Sequence, residues 1–186
     1  LTNVQGVLEA KGGLNGGDGG KIETSGHQVY LDGIKISASA TQGSSGTWLI
    51  DPYDVVIGTS SSGTAYSNDF VPGTSSYILA SNINTSLNAG TNVSISTGSN
   101  AAGTLTLSSA ISKTSGGNAT LSLTGGTINI NQTISGSSPS GSLGITLDAQ
   151  TIISSYPAIF EWIQLFDNNI WFIIIIMIIN YICFNR

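Results

Sequence analysis

Two carboxylates, Asp51 and Asp54, stand three residues apart in GTWLIDPYDVVIG, residues 46–58, in a chain that is otherwise poor in charge. Paired carboxyls are the working groups of glycosidases, where one serves as acid and the other as base or nucleophile across the bond being broken. The same residues also have a structural use. Pro52 fixes its own φ and pushes Asp51 into an extended conformation, so Asp-Pro initiates a turn. Trp48, Leu49 and Ile50 then read as a strand with one large apolar anchor, and Asp54 opens the strand DVVI. The favoured reading is a corner that joins two strands. A catalytic Asp51/Asp54 pair is the alternative, and no catalytic residue is assigned.

Three further features could carry chemistry. The Gly-rich run KGGLNGGDGGK, residues 11–21, is near two known devices and matches neither. A phosphate loop needs a hydroxyl after its Gly-Lys, and Ile22 stands there. The calcium-binding nonapeptide needs a tandem register that these glycines do not keep. A flexible surface loop is the expectation. His27 is the only histidine and Cys183 the only cysteine, so neither a His cluster nor an internal disulfide can be assembled. Asn-x-Ser/Thr occurs at Asn84, Asn92, Asn118 and Asn131, as expected by chance in so hydroxyl- and amide-rich a chain. No metal or cofactor site is assigned.

Composition narrows the classes. The 186 residues include five Lys or Arg and ten Asp or Glu, a net charge of −5 with pI near 4.4. Nucleic-acid binding needs clustered cations to neutralise phosphate, and no basic stripe exists. From Val71 to Leu147 the only charged residue is Lys113. Hydroxyls and amides must supply the solubility.

The elements that would position these residues are strands. Short runs such as KIETS, IKISA, NVSIST, TLTLSS, ATLSLT and TININ alternate apolar residues with Ser, Thr or Asn, the period of a pleated strand. Gly, Ser and Asn clusters punctuate them, and no convincing helical periodicity precedes residue 156. The pair Leu105/Leu107 recurs 23 residues later as Ile128/Ile130, and Leu121/Leu123 recurs 24 residues later as Ile145/Leu147. Two interleaved series of nearly equal period favour stacked coils over a face-packed sandwich. Val93, Ile95, Leu105, Leu107, Leu121, Leu123, Ile128, Ile130, Ile145 and Leu147 should then form the core.

The succession IETSG (22–26), VYLDGI, GTWLIDPYDV (46–55), LNAGTNVSIST, ISKTSGGNATLSL and ININ resembles filamentous haemagglutinin-type exoproteins, large surface adhesins of Gram-negative bacteria secreted by the two-partner route. The likeness runs from about Gly12 to Ala149. It implies a right-handed parallel β-helix, an all-β solenoid, belonging to the passenger or shaft of such a protein. It also implies a secreted or outer-membrane-associated cell-surface location, passage through an outer-membrane two-partner transporter, and adhesion to host-cell or surface receptors, with glycans among the ligands. No nucleic acid is expected. The family's secretion domain and signal peptide have no counterpart here, and the chain, which begins at Leu1, reads as a piece of something longer. A β-helical polysaccharide-active enzyme using Asp51 and Asp54, or a membrane-anchored surface protein, are the alternatives.

The chain divides into a Gly-rich N-terminal segment (1–20), passenger coils (21–150) and an apolar tail (151–186). The tail carries ten unbroken apolar residues, Ile170 to Ile179, and a helical spacing of Glu161, Gln164 and Asp167. A frameshifted end, a cap on the last coil and a membrane segment are the three readings of it.

Overall fold

The computed structural model describes residues 1–59, 75–98, 102–137 and 139–155. Residues 156–186, and with them the expected helical tail, lie outside the described residues. Among those described, the alternating segments become strands, and every ladder between named strands is parallel. The result is a β-solenoid of about five turns.

The chain order builds three faces. A first partial coil gives β1 (Thr2–Asn3) and β2 (Gly6–Glu9), and the next gives β3 (Lys21–Ser25), β4 (Val29–Tyr30) and β5 (Ile34–Ser37). The third gives β6 (Thr47–Asp51), β7 (Val55–Gly58), β8 (Ser76–Leu79) and a helix, α1 (Ala80–Asn88). The fourth gives β9 (Asn92–Ser96), β10 (Thr104–Leu107) and β11 (Ile111–Lys113). Then come β12 (Ala119–Ile130), β13 (Ile134–Gly136) and β14 (Leu143–Ser154). Strands β12 and β14 run through a corner, so each serves two faces. The first face stacks β3, β6, β9 and the leading halves of β12 and β14. The second stacks β1, β4, β8, β7, β10 and the trailing halves. The third pairs β2 with β5 and β11 with β13, with α1 packed between β5 and β11.

The recurrences in the sequence are the register of this stack. Leu105 and Leu107 pair with Ile128 and Ile130, and Leu121 and Leu123 with Ile145 and Leu147. Eight of the ten expected core residues are buried. Ile145 and Leu147 are the correction: they face inward but are only half-buried, because β14 is the last described strand and none of those residues covers it. Coils also begin before residue 21, since β1 and β2 already pair with β4 and β5. At the other end β14 reaches four residues beyond Gln150.

The Gly-rich run is not a loose loop. Gly12 and Gly19 donate backbone hydrogen bonds to the carbonyls of Ser39 and Ser44, at 2.9 Å each. A Cβ on Gly46 would overlap the Gly20 carbonyl oxygen, and one on Gly43 the carbonyl oxygen of Gly17. Glycine is used here because successive coils meet backbone to backbone.

Helix α1 is the second correction, since the alternating pattern predicts no helix before residue 156. It stands where a third-face strand would, and it cannot offer β11 a row of carbonyls. Its side chains do so instead. Asn84 Oδ1 accepts the Ser112 N–H at 3.0 Å, and Asn88 Oδ1 accepts those of Thr114 and Ser115 at 2.8 and 3.1 Å. Ile83 and Leu87 fill the core beneath. A helix is about 10 Å across, roughly twice the interstrand spacing. The second face keeps pace by carrying the additional strand β8 between β4 and β7.

Candidate functional site

The corner between the first and second faces holds the candidate carboxylates. Strand β6 ends at Asp51 and buried Pro52 turns the chain, as the sequence predicts, while β7 begins at Val55, one residue after the expected start at Asp54. The two acids are used differently. Asp54 Oδ1 accepts the Thr104 backbone N–H of the next coil at 2.6 Å. This is the service that Asp18 gives to Ser44 (2.7 Å), Asn92 to Thr120 (2.9 Å) and Asn118 to Ser142 (2.9 Å). At corners the ladder lapses, and a side-chain oxygen takes the place of the missing carbonyl. Asp54 is one member of that series.

Asp51 is on the outward side of β6, in register with Ser25. Partial burial, and then the charge of Glu23, raise its pKa above the ordinary aspartate value. Glu23 is itself exposed and held by neighbours. Lys21 Nζ lies 3.1 Å from Glu23 Oε2, and Ser25 Oγ donates to Oε1 at 2.9 Å. The bond from Lys21, then that from Ser25 and the Lys21 charge, lower the Glu23 pKa. The acid that Asp51 senses is therefore Glu23, a partner the sequence reading did not name. The offset of 26 residues that pairs Lys21 with Thr47 would have brought it near.

The same offset brings His27 beside Tyr53. Their rings stack with centroids 4.9 Å apart and planes parallel. His27 is exposed and Tyr53 is 44% exposed. Backbone bonds fix the corner beneath them: Gly26 N–H to Asp51 O at 3.1 Å, Tyr53 N–H to His27 O at 3.2 Å, and Gly98 N–H to Pro52 O at 3.0 Å.

Other sequence candidates have local roles. The sequon residues Asn84, Asn92 and Asn118 accept backbone N–H groups, and Asn131 Oδ1 accepts the Ser155 hydroxyl at 3.2 Å. A shallow groove of about 480 Å³ runs beside Ser44, Ser45, Asn92, Asn118 and Thr120. Asn92, which lines it, has both amide atoms engaged, Nδ2 donating to Ser45 O at 3.0 Å. Among the described residues no three His, Cys, Asp or Glu side chains are grouped to hold a metal, and no helix is long and apolar enough to cross a membrane. Comparison with family models, with curated proteins and with solved structures finds no match to this chain.

Proposed function

We propose that the chain is a non-catalytic passenger segment of a secreted bacterial surface adhesin, of the filamentous haemagglutinin type, acting in attachment to cells or surfaces. The observation that carries this reading is the solenoid together with its outward ranks. On the first face these include Ser94, Ser122 and Thr146 in register, and on the second Thr104, Thr127 and Thr151. Stacked hydroxyls of this kind suit a rigid, uncharged shaft, because like charges one coil apart would face each other at about 4.8 Å. The outer-membrane two-partner transporter and host-cell or surface receptors are the partners of this reading, with the cell surface as its location. The use of Asp54 as a backbone cap favours it over an acid pair.

One observation favours the second reading, a β-helical polysaccharide-active enzyme: the raised Asp51 carboxyl beside Glu23, since a general acid needs such a shift. One experiment separates the two. The protein is assayed for attachment to cultured cells and, in parallel, for hydrolysis across a polysaccharide panel. Attachment without turnover is the expected result. Hydrolysis that disappears in Asp51→Asn would replace the adhesin with the enzyme.

A further inference from the structure

The Gly-rich run holds its two short polar side chains, Asn15 and Asp18, very differently. Gly13 and Gly16 form an antiparallel bridge that puts Leu14 and Asn15 at the tip of a turn. Leu14 is 82% exposed, and Asn15 is exposed beside it. The Asn15 amide makes no hydrogen bond among the described residues. Asn84, Asn88, Asn92 and Asn118, by contrast, each commit Oδ1 to a backbone N–H of a later coil. Asn15 is also the only asparagine of the chain followed by glycine. A glycine nitrogen is the least shielded in a peptide chain, since no Cβ stands beside it. A Cβ on Gly16 would meet nothing within 4 Å, so the turn is open around that nitrogen. The Gly16 N–H donates to Gly13 O at 3.3 Å, longer than the ordinary range of about 2.7–3.2 Å.

Asp18 is exposed as well, but it is locked. Its Oδ1 accepts the Ser44 N–H at 2.7 Å, and the Gly19 N–H donates to Ser44 O at 2.9 Å. A Cβ on Gly19 would overlap the Ala38 carbonyl oxygen. The side chain of Asp18 and the nitrogen that could attack it are thus both held against the next coil. A carboxyl is in any case a poorer electrophile than an amide, which applies equally to Asp32 before Gly33.

We propose that Asn15 is a site of spontaneous covalent modification, converting to aspartate and isoaspartate through a cyclic imide with Gly16, while Asp18 beside it is spared. The Gly16 nitrogen gives up its proton and attacks Asn15 Cγ. The bond from Cγ to the side-chain nitrogen breaks, and that nitrogen leaves as ammonia. Water then adds to either carbonyl of the ring and opens it. One water enters, one ammonia departs, and nothing is oxidised or reduced. Either product adds a negative charge to a chain of net charge −5, and the isoaspartyl product also lengthens the backbone of the turn. The bonds from Gly12 to Ser39 and from Gly19 to Ser44 flank the turn, so the coils stay stacked. The site is independent of the adhesive reading.

The test ages the full chain at neutral pH in a mild non-ionic detergent, beside a sample unfolded in guanidinium. Cleavage after Lys11 and Lys21 releases residues 12–21, which carry both Asn15 and Asp18. Digestion in heavy-oxygen water marks any change made during the work-up. Mass spectrometry should find the amide-to-acid shift at Asn15 in the folded chain nearly as fast as in the unfolded one. Isomerisation at Asp18, read from the chromatographic separation of the peptides, should appear only in guanidinium, where the Ser44 bonds are gone. Asn15→Gln should lose the shift, because its longer side chain would have to close a larger ring. Circular dichroism of that variant checks that its coils are intact. An Asn15 that changes in guanidinium but stays intact in the folded chain would show that the turn protects it, and would overturn the proposal. So would an Asn15 intact in both samples, or an Asp18 that isomerises equally in both.

Discussion

Asp54 and Asn92 perform one task with different side chains, each presenting an Oδ1 oxygen to a backbone N–H of the following coil. Asp54→Asn keeps that acceptor and should cost little, whereas Asp54→Ala removes the partner of the exposed Thr104 N–H and should cost about 0.5–1.5 kcal/mol, the net worth of one such bond. Urea unfolding of the two variants checks the difference, and equal losses would mean that the carboxylate acts through its charge. Asp51 behaves in the opposite sense. Its pKa is raised by burial and by Glu23, so the folded chain holds a proton that the unfolded chain releases. Stability from this group is therefore lost as pH rises from the ordinary aspartate range through the raised folded value. Asp51→Asn should raise the melting temperature at pH 7, with the gain shrinking as both states become protonated in acid; a gain independent of pH would refute the assignment. The Asp-Pro turn was legible in the sequence because Pro52 dictates it locally. The division of labour between the two acids was not, since it depends on Thr104, Glu23 and partial burial, all set by stacking.

At the scale of elements, α1 shows how a solenoid accommodates a foreign unit. The helix closes with a glycine in the left-handed region, Gly90 at φ +76°, with Gly90 N–H bonded to Leu87 O and Thr91 N–H to Ser86 O, each at 3.0 Å. Thr91 Oγ1 then accepts the Ala38 N–H of the preceding coil at 2.9 Å. The stop signal Asn-Ala-Gly was present in the sequence. What hid the helix was its brevity: Ala80, Ile83 and Leu87 are its only buried apolar residues, and Asn84 and Asn88 look like the polar positions of a strand. Those two asparagines carry the unit. Asn88→Ala, which strips an acceptor from two N–H groups, should destabilise by about 1–3 kcal/mol, and Leu87→Ala by about 2–5 kcal/mol through the cavity it leaves. Hydrogen exchange distinguishes them: Asn88→Ala should speed exchange chiefly at Thr114 and Ser115, while Leu87→Ala should loosen α1 and β11 together. Trp48 was legible as an anchor, but its ring nitrogen was not; Nε1 donates to buried Thr24 at 2.9 Å, a partner supplied by the previous coil.

Across the whole molecule, each coil is stabilised by its neighbours, so the ends are where a β-solenoid is weakest. Period-two alternation and the 23- and 24-residue recurrences made the stack readable, because in parallel coils the repeat distance and the strand register are one quantity. Where the stack stops was less readable. Gln150 marks a change of composition, yet β14 continues to Ser154, and Thr151, Ile152, Ile153 and Ser154 pair with Thr127, Ile128, Asn129 and Ile130. A chain ended at Gln150 would strip that cover from Ile128 and Ile130, both now buried. A chain ended at Ser155 would keep it. The ten apolar residues Ile170–Ile179 bear on solubility in either case, since each buried isoleucine gains about 1.5–3 kcal/mol on leaving water and a long Ile-rich run without proline favours aggregation. The full 186 residues should therefore sediment or partition with membranes, whereas the chain ended at Ser155 should stay in solution with the β signal of the coils intact. The chain ended at Gln150 should be soluble but unfold at lower urea concentration than the one ended at Ser155. Sedimentation and circular dichroism of the three chains give the result. A loss of β signal at Ser155 would show that residues beyond it support the stack, and equal urea midpoints for the two shorter chains would show that the last four residues of β14 contribute nothing to it.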